Sequence, residues 1–206
     1  RLHSLVLTLK HGGQMPKWIL FLGVLMLSAQ AKKIEKATFG AGCFWGVEHI
    51  LEQQLANDGE IQAGAIIDVI SGYSGGDSVK PSYAEVSTGI SGHIEVVQVT
   101  YDSSKLSYEK LLEFYFRLHD PTQVNGQGPD IGAQYQSVIF YHDKNQENVA
   151  KKLMEKITVS KFFDKPLATK LKEFKAFYPA EAYHQNYYVV TKKAPYCHAL
   201  RKSFKL

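Results

Sequence analysis

Cys43 is the residue of this chain best placed to act as a nucleophile. It lies in Gly42-Cys43-Phe44-Trp45-Gly46, after the apolar run 37–41 and before a helical spacing of apolar residues over 47–55. A thiol at such a strand-to-helix junction is close to unpaired backbone N–H groups and to the positive end of the helix dipole, which both favour the thiolate. The two aromatic residues that follow indicate an apolar wall beside the sulfur, and hence an apolar, polarisable substrate. A buried structural cysteine fits these five residues equally well.

The chain has one further cysteine, Cys197, which lies 154 residues beyond Cys43. In an exported protein an even number of cysteines ordinarily indicates a structural disulfide. Here one cysteine occupies a reactive junction and the other a tail rich in Pro, Tyr and Lys, so we expect a catalytic pair that cycles between dithiol and disulfide. Neither cysteine has a second Cys or a paired His at zinc-ligand spacing, and we therefore predict no metal site.

Seven short motifs, which follow one another from about residue 37 to the end of the chain, resemble those of the A-type peptide methionine sulfoxide reductases. They are 42–46 with Glu48, 72–76, 81–86, 92–96, 119–122, 127–135 and 180–185. The resemblance implies an α+β fold and a thiol-based reduction of methionine sulfoxide. In that chemistry Cys43 attacks the substrate sulfur and becomes a sulfenic acid.

The resemblance also implies the groups that act on the sulfoxide oxygen. Glu85, in the motif 81–86, is the expected proton donor, and its pKa would have to be raised by apolar burial near Trp45. Tyr73 and Tyr135 match the tyrosines that donate hydrogen bonds to the oxygen, because a phenol stays neutral at pH 7 and can stabilise developing negative charge.

The same resemblance implies that the substrate is bound by Phe44, Trp45 and Asp130. Phe44 and Trp45 would hold the S-methyl group, since an aromatic face accommodates it without demanding a hydrogen bond. Asp130 would position the substrate from the loop 128–135, in which Pro129 stands where the family often has Asn. Glu181 and His184 are three residues apart and would share a helical face, either as structural residues or as a proton relay.

Cys197 would complete the cycle by attacking the sulfenic acid on Cys43, which forms a disulfide and releases water. No cysteine follows Cys197, so the Cys43–Cys197 disulfide would pass directly to an external dithiol, which in the family is thioredoxin or a thioredoxin-like domain. We predict no bound cofactor.

The sequence thus predicts a peptide-methionine (S)-S-oxide reductase that repairs oxidised methionine in exported proteins during oxidative stress and also accepts free methionine sulfoxide. The epimer follows from the resemblance, since each epimer has its own enzyme. Two alternatives remain open, an exported two-cysteine thiol peroxidase and a secreted binding module held by a static disulfide. We expect a monomer that does not bind nucleic acid. We also expect no membrane binding once the N-terminal segment 15–31, which resembles a signal peptide, is removed.

The elements that must position these residues are four strands and four helices in one domain, 32–206. The hydrophobic patterns predict strands at 37–39, 65–71, 94–101 and 137–142 and helices at 46–56, 107–118, 144–160 and 181–190. This order predicts an α+β two-layer sandwich with a ferredoxin-like split β-α-β core, long active-site loops and an irregular C-terminal tail. Residues 57–64 suggest a surface insertion.

The sequence predicts a leader before this domain, with an uncleaved membrane anchor as the alternative. Met15 and Lys17 are followed by the apolar run 18–27 and by Ser28-Ala29-Gln30-Ala31, a pattern typical of a secretory signal peptide cleaved after Ala31. We therefore expect a periplasmic or extracellular protein. Residues 1–14 carry no usable signal. Residues 1–31 hold three basic residues and no acidic ones, so their removal leaves 21 basic and 20 acidic residues, and the formal charge falls from +4 to +1. This balance argues against nucleic-acid binding.

Overall fold

The computed structural model describes residues 32–55, 59 and 61–201. Residues 1–14 and the predicted signal peptide 15–31 lie outside the described residues, as does part of the predicted insertion at 57–64. No helix within the described residues is both long and apolar enough to cross a membrane.

Four strands whose inner faces are mostly apolar form the centre of the main sheet. They are β1 Ile34–Ala41, β2 Ile66–Ser74, β3 Ile94–Asp102 and β6 Ser137–Tyr141. Their spatial order is β6-β1-β3-β2, and every neighbouring pair is antiparallel. Because β3 lies between β1 and β2, this is the split β-α-β arrangement, and the ferredoxin-like α+β prediction is confirmed.

Short strands extend the sheet at both edges. β7 (Lys170–Glu173) pairs in parallel with β6, and β8 (Tyr178–Pro179) pairs with β2. A separate two-stranded hairpin consists of β4 (Gly126–Gln127) and β5 (Asp130–Ile131). The sequence patterns did not predict any of these strands, because each is four residues or fewer and has no apolar alternation of its own.

The helices pack mainly on one face of the sheet. α1 (Phe44–His49) continues as a π-helical turn over Ile50–Gln54, and α3 (Tyr108–Leu118) and α4 (Lys144–Ser160) lie beside it over the main core. Ser107 and Asp143 cap α3 and α4 by accepting the N–H groups of Lys110 and Gln146. The opposite face carries a smaller core, against which Phe174 and Phe177 of the C-terminal segment pack.

The predicted helix 181–190 is wrong as a single element. A 3-10 turn over Ala182–His184 is followed by the separate helix α5 (Tyr187–Thr191), and Asn186 between them has φ 52°. That left-handed residue turns the chain, so the two segments do not share a face. A further short helix, α2 (Tyr83–Ser87), lies in the motif 81–86.

Candidate active site

Cys43 lies at the predicted junction, at the N-cap of α1 and two residues after the end of β1. Its backbone is not yet helical (φ −57°, ψ 118°), and Gly42 before it has φ +95°, a conformation that favours glycine. The chain can therefore turn sharply from strand to helix. The side chain is not open to solvent, however, since Cys43 is 5% exposed.

Cys197 covers Cys43. Both thiols are free, and their Sγ atoms and a carboxylate oxygen of Asp130 all lie within 4.8 Å of one another. The C-terminal tail thus brings the two cysteines into one site, as the sequence predicted. The hydroxyl of Tyr196 donates to both Asp130 oxygens at 3.2 and 3.3 Å, which connects the tail to the start of β5.

The expectation of a ready thiolate at Cys43 is wrong for this state. The hydrogen bond with the Cys197 thiol raises the pKa of Cys43, and burial raises it further, whereas the Trp45 N–H lowers it by less. The helix terminus is present, but a second thiol and a dry environment outweigh it. Cys43 is therefore protonated at neutral pH while the tail is in place.

Glu95 is the buried carboxyl of the site, and the sequence analysis did not single it out. It is 2% exposed on β3, and its Oε2 accepts the N–H of Phe44 at 3.1 Å, directly beside Cys43. Burial and the nearby Cys43 raise its pKa well above the ordinary value. A signal was available, because Glu95 interrupts an otherwise apolar stretch, Ile94 to Val97, which overlaps the motif 92–96.

Glu85 does not have the environment that was expected for it. It is exposed on α2, where its carboxylate accepts the N–H (2.7 Å) and hydroxyl (2.8 Å) of Ser82, while the Ser82 hydroxyl accepts the Glu85 N–H at 3.3 Å. These bonds lower the pKa of Glu85 rather than raise it. The Ser-x-x-Glu spacing is that of a capping box, which explains why an acid stands there.

Tyr73 is likewise not available to a substrate. It is 0% exposed, and its hydroxyl donates to Oε2 of Glu181 at 2.8 Å. Two other tyrosines, Tyr83 and Tyr135, are half-buried and lie close enough to both Glu95 and Cys43 to interact with them. Burial comes first among the causes that raise their pKa values, and ionisation of Glu95 or, more weakly, of Cys43 raises them further. Tyr135 thus occupies the predicted site, whereas Tyr83 takes the place expected for Tyr73.

Phe44 and Trp45 differ in accessibility. Phe44 is 1% exposed and packs in the core against Tyr73 and His184, with ring centroids 5.9 and 5.0 Å away. Trp45 is half-buried, and one face of its indole stacks on Tyr187 at 3.7 Å. Its predicted contact with a methyl group therefore needs the other face or the ring edge.

Glu181 and His184 hold these aromatic side chains in place. Glu181 accepts the backbone N–H of Tyr83 at 2.9 Å in addition to the Tyr73 hydroxyl, and Nδ1 of His184 accepts the indole N–H of Trp45 at 3.0 Å. Nε2 of His184 lies 3.9 Å from Oε2 of Glu181. Their contacts favour the structural alternative over a proton relay.

Comparison with known proteins places this geometry in a family. The model of the family described as "Peptide methionine sulfoxide reductase" matches residues 35–205. A Halobacterium salinarum protein named peptide methionine sulfoxide reductase MsrA is 43% identical over 163 residues, which are 79% of this chain and 87% of that protein. The chain belongs to the peptide methionine sulfoxide reductase family.

Solved structures of a yeast relative agree with this assignment. Mxr1 from Saccharomyces cerevisiae in its reduced form has a TM-score of 0.73 and 35% identity, covering 84% of this chain and 94% of that one. Mxr1 in complex with Trx2 has a TM-score of 0.54 and 26% identity, covering 84% and 93%.

The proximity of the two thiols and the Asp130 carboxylate does not bear on whether a metal binds, so the absence of a metal site remains a prediction.

Proposed function

We propose that this protein reduces methionine-S-sulfoxide to methionine, in oxidised proteins and as the free amino acid, and that a thioredoxin-type dithiol returns it to the reduced state. The observation that carries the proposal is the placement of two free thiols next to a buried carboxyl, Glu95, whose pKa is raised. A thiol supplies the nucleophile, and a protonated carboxyl supplies the acid that a departing oxygen needs.

In the first step the Cys43 sulfur attacks the sulfoxide sulfur, and Glu95 donates its proton to the sulfoxide oxygen. The protonated oxygen then passes to the Cys43 sulfur. Its bond to the substrate sulfur and the transient bond between the two sulfur atoms both break, so that Cys43 becomes a sulfenic acid and methionine is released. Glu95 recovers a proton as Cys43 loses its own. Since Cys43 is 5% exposed, the tail with Cys197 moves aside to admit the substrate, which also removes the hydrogen bond that raises the pKa of Cys43.

Tyr83 and Tyr135 are the proposed hydrogen-bond donors to the sulfoxide oxygen. Within the described part of the chain, no hydrogen bond contributes to the pKa of either hydroxyl. Both phenols stay neutral at pH 7, because their pKa values are raised. They are therefore free to stabilise the negative charge that develops on the oxygen. Trp45 supports the S-methyl group, and Asp130 positions the rest of the substrate.

In the second step Cys197 attacks the sulfenic acid sulfur, a disulfide forms, and the oxygen leaves as water. Two electrons have then passed from the thiols to the substrate, and an external dithiol restores them. The solved complex of the yeast relative with Trx2 supports thioredoxin as that reductant.

Separated epimers of methionine sulfoxide test the function. The reduced protein should convert the S epimer to methionine and leave the R epimer unchanged, and Cys43→Ser should abolish the conversion while the folded state persists. Cys197→Ser is the matched control, since it also removes one thiol but should still release one methionine per molecule. Reduction of hydrogen peroxide in preference to the S epimer would support a thiol peroxidase instead.

Export to the periplasm or the extracellular space is proposed from the leader pattern of residues 15–31. There the enzyme would repair oxidised proteins as a monomer. Mass analysis of the protein isolated from its natural source should give a mature N-terminus at Lys32. Recovery of the leader on a cytosolic protein would contradict the proposal.

A further inference from the structure

His198 follows Cys197 directly and places its imidazole between the two cysteines and the end of β1. Its Nδ1 is 2.9 Å from the Sγ of Cys197, and its Nε2 is 2.6 Å from the carbonyl oxygen of Ala41. The ring occupies a slot that glycine leaves open, because a Cβ on Gly46 would overlap it.

These two hydrogen bonds fix the tautomer of His198. A carbonyl oxygen can only accept, so Nε2 must carry the ring proton and donate it to Ala41. In the neutral ring Nδ1 then carries a lone pair and accepts a hydrogen bond from the Cys197 thiol. The hydrogen bond to the Ala41 backbone thus holds the imidazole near Cys43. Its basic nitrogen, Nδ1, faces the Cys197 thiol, which is the thiol that must become a nucleophile.

We propose that His198 is the general base of the disulfide-forming step. The inference deepens the proposed function and depends on it. As Cys197 attacks the sulfenic acid on Cys43, Nδ1 of His198 takes the Cys197 thiol proton, so that the attacking atom is the more nucleophilic thiolate.

The step balances without any added reactant. A bond forms between the two sulfur atoms, the bond between the Cys43 sulfur and its oxygen breaks, and the hydroxide that departs takes up the proton held by His198. Water leaves, and the imidazole is neutral again. The oxidant is the sulfenic acid, whose oxygen came from the sulfoxide.

The surrounding charges suit this role. Removal from water lowers the pKa of His198, which keeps the ring neutral and able to accept a proton at pH 7. The Asp130 carboxylate acts in the opposite direction and stabilises the imidazolium that forms during the step. His119 also faces His198, but burial lowers its own pKa to about 3, so it remains neutral.

A single-turnover experiment with the full chain separates this role from the first step. The reduced protein is mixed with methionine-S-sulfoxide in the absence of external dithiol. Released methionine, the sulfenic acid trapped by dimedone and the disulfide are then measured against time. In His198→Gln, whose side-chain amide can still donate to Ala41, methionine release should keep its rate. Disulfide formation should slow on the order of 10²-fold, as expected for a lost general base, and trapped sulfenic acid should accumulate.

The pH dependence and a tail variant distinguish proton transfer from simple positioning. The disulfide step of His198→Gln should accelerate as pH rises, because only hydroxide then helps the thiol to ionise, whereas the parent should vary little near neutral pH. Tyr196→Phe removes the tail contact to Asp130 and should leave the disulfide step and its pH profile intact.

Two results would overturn the inference. One is disulfide formation in His198→Gln at the parent rate and with the parent pH profile. The other is an equal slowing in Tyr196→Phe. Absence of methionine release from the parent would refute the proposed function as well, which is a different outcome from a normal release followed by an unaffected disulfide step.

Discussion

Replacement of Glu95 by Gln should slow methionine release while the protein stays folded. The amide has nearly the shape of the carboxyl, and its oxygen can still accept the Phe44 N–H that Glu95 accepts at 3.1 Å. It carries no charge, so burial at 2% exposure costs the folded state little. What the variant loses is the proton that the carboxyl holds at pH 7 because its pKa is raised.

The size of the effect follows from the value of a positioned acid. General acid catalysis contributes about 10²- to 10⁴-fold, which corresponds to about 3 to 5.5 kcal/mol in the barrier. We expect a loss in this range for the first step. The pH profile should change as well, because Glu95 donates only below its pKa. Methionine release by the parent should therefore fall at alkaline pH, and Glu95→Gln should lack that fall.

Rapid-quench measurement of methionine in a single turnover is the assay, and Glu85→Gln is the matched control. Glu85 is exposed and caps α2, so its replacement should lower the stability of that short helix without changing the rate of methionine release. A normal rate in Glu95→Gln, or an equal loss in Glu85→Gln, would refute the assignment of the acid.

Four further replacements test other parts of the account. Tyr83→Phe should slow methionine release on the order of 10²-fold, as for a lost oxyanion donor. Tyr73→Phe should keep the rate but lower the melting temperature, since the half-exposed Glu181 carboxylate loses a hydrogen-bond donor; both are read from single turnovers and thermal scans. Cys197→Ser should release one methionine per molecule and stop at a trappable sulfenic acid; sustained turnover with thioredoxin would rule out its resolving role. Burial and Glu52 raise the pKa of Glu48 to about 7. The folded protein therefore binds this proton more tightly than the unfolded chain, and the free energy of unfolding should fall between about pH 4.5 and 7 by up to about 3 kcal/mol. Urea titrations at pH 5 and 8 should show that loss in the parent but not in Glu48→Gln.

Much of the fold could be predicted from the sequence because its elements are long and periodic. The patterns indicated the four central strands and α3 and α4 within a few residues. The edge strands β7 and β8 have four and two residues, which is too few to show an alternation of apolar and polar residues. The segment 181–190 reads as one helix, but Asn186 adopts a left-handed conformation, and the need to pack Tyr188 against α1 outweighs helical propensity there.

The structure brings Cys43 and Tyr135 to one site, where a motif and a local structure coincide. It differs from the expected surroundings at Glu85 and Tyr73, where two motifs each offer the same residue type. Glu85 and Glu95 both stand in family-like motifs, and only burial, which follows from the pairing of β3 between β1 and β2, distinguishes the carboxyl that stays protonated. Tyr73 and Tyr83 differ in the same way, since Glu181 occupies the hydroxyl of Tyr73. Long-range contacts decide these cases.

The central claim is that the two electrons for the sulfoxide come from Cys43 and Cys197. Its most direct test is a thiol and methionine balance on the reduced protein after one turnover with methionine-S-sulfoxide and no added reductant. One methionine should appear for every two thiols lost, and peptide mapping should recover a Cys43–Cys197 disulfide. Methionine formed while both thiols remain free would contradict the account.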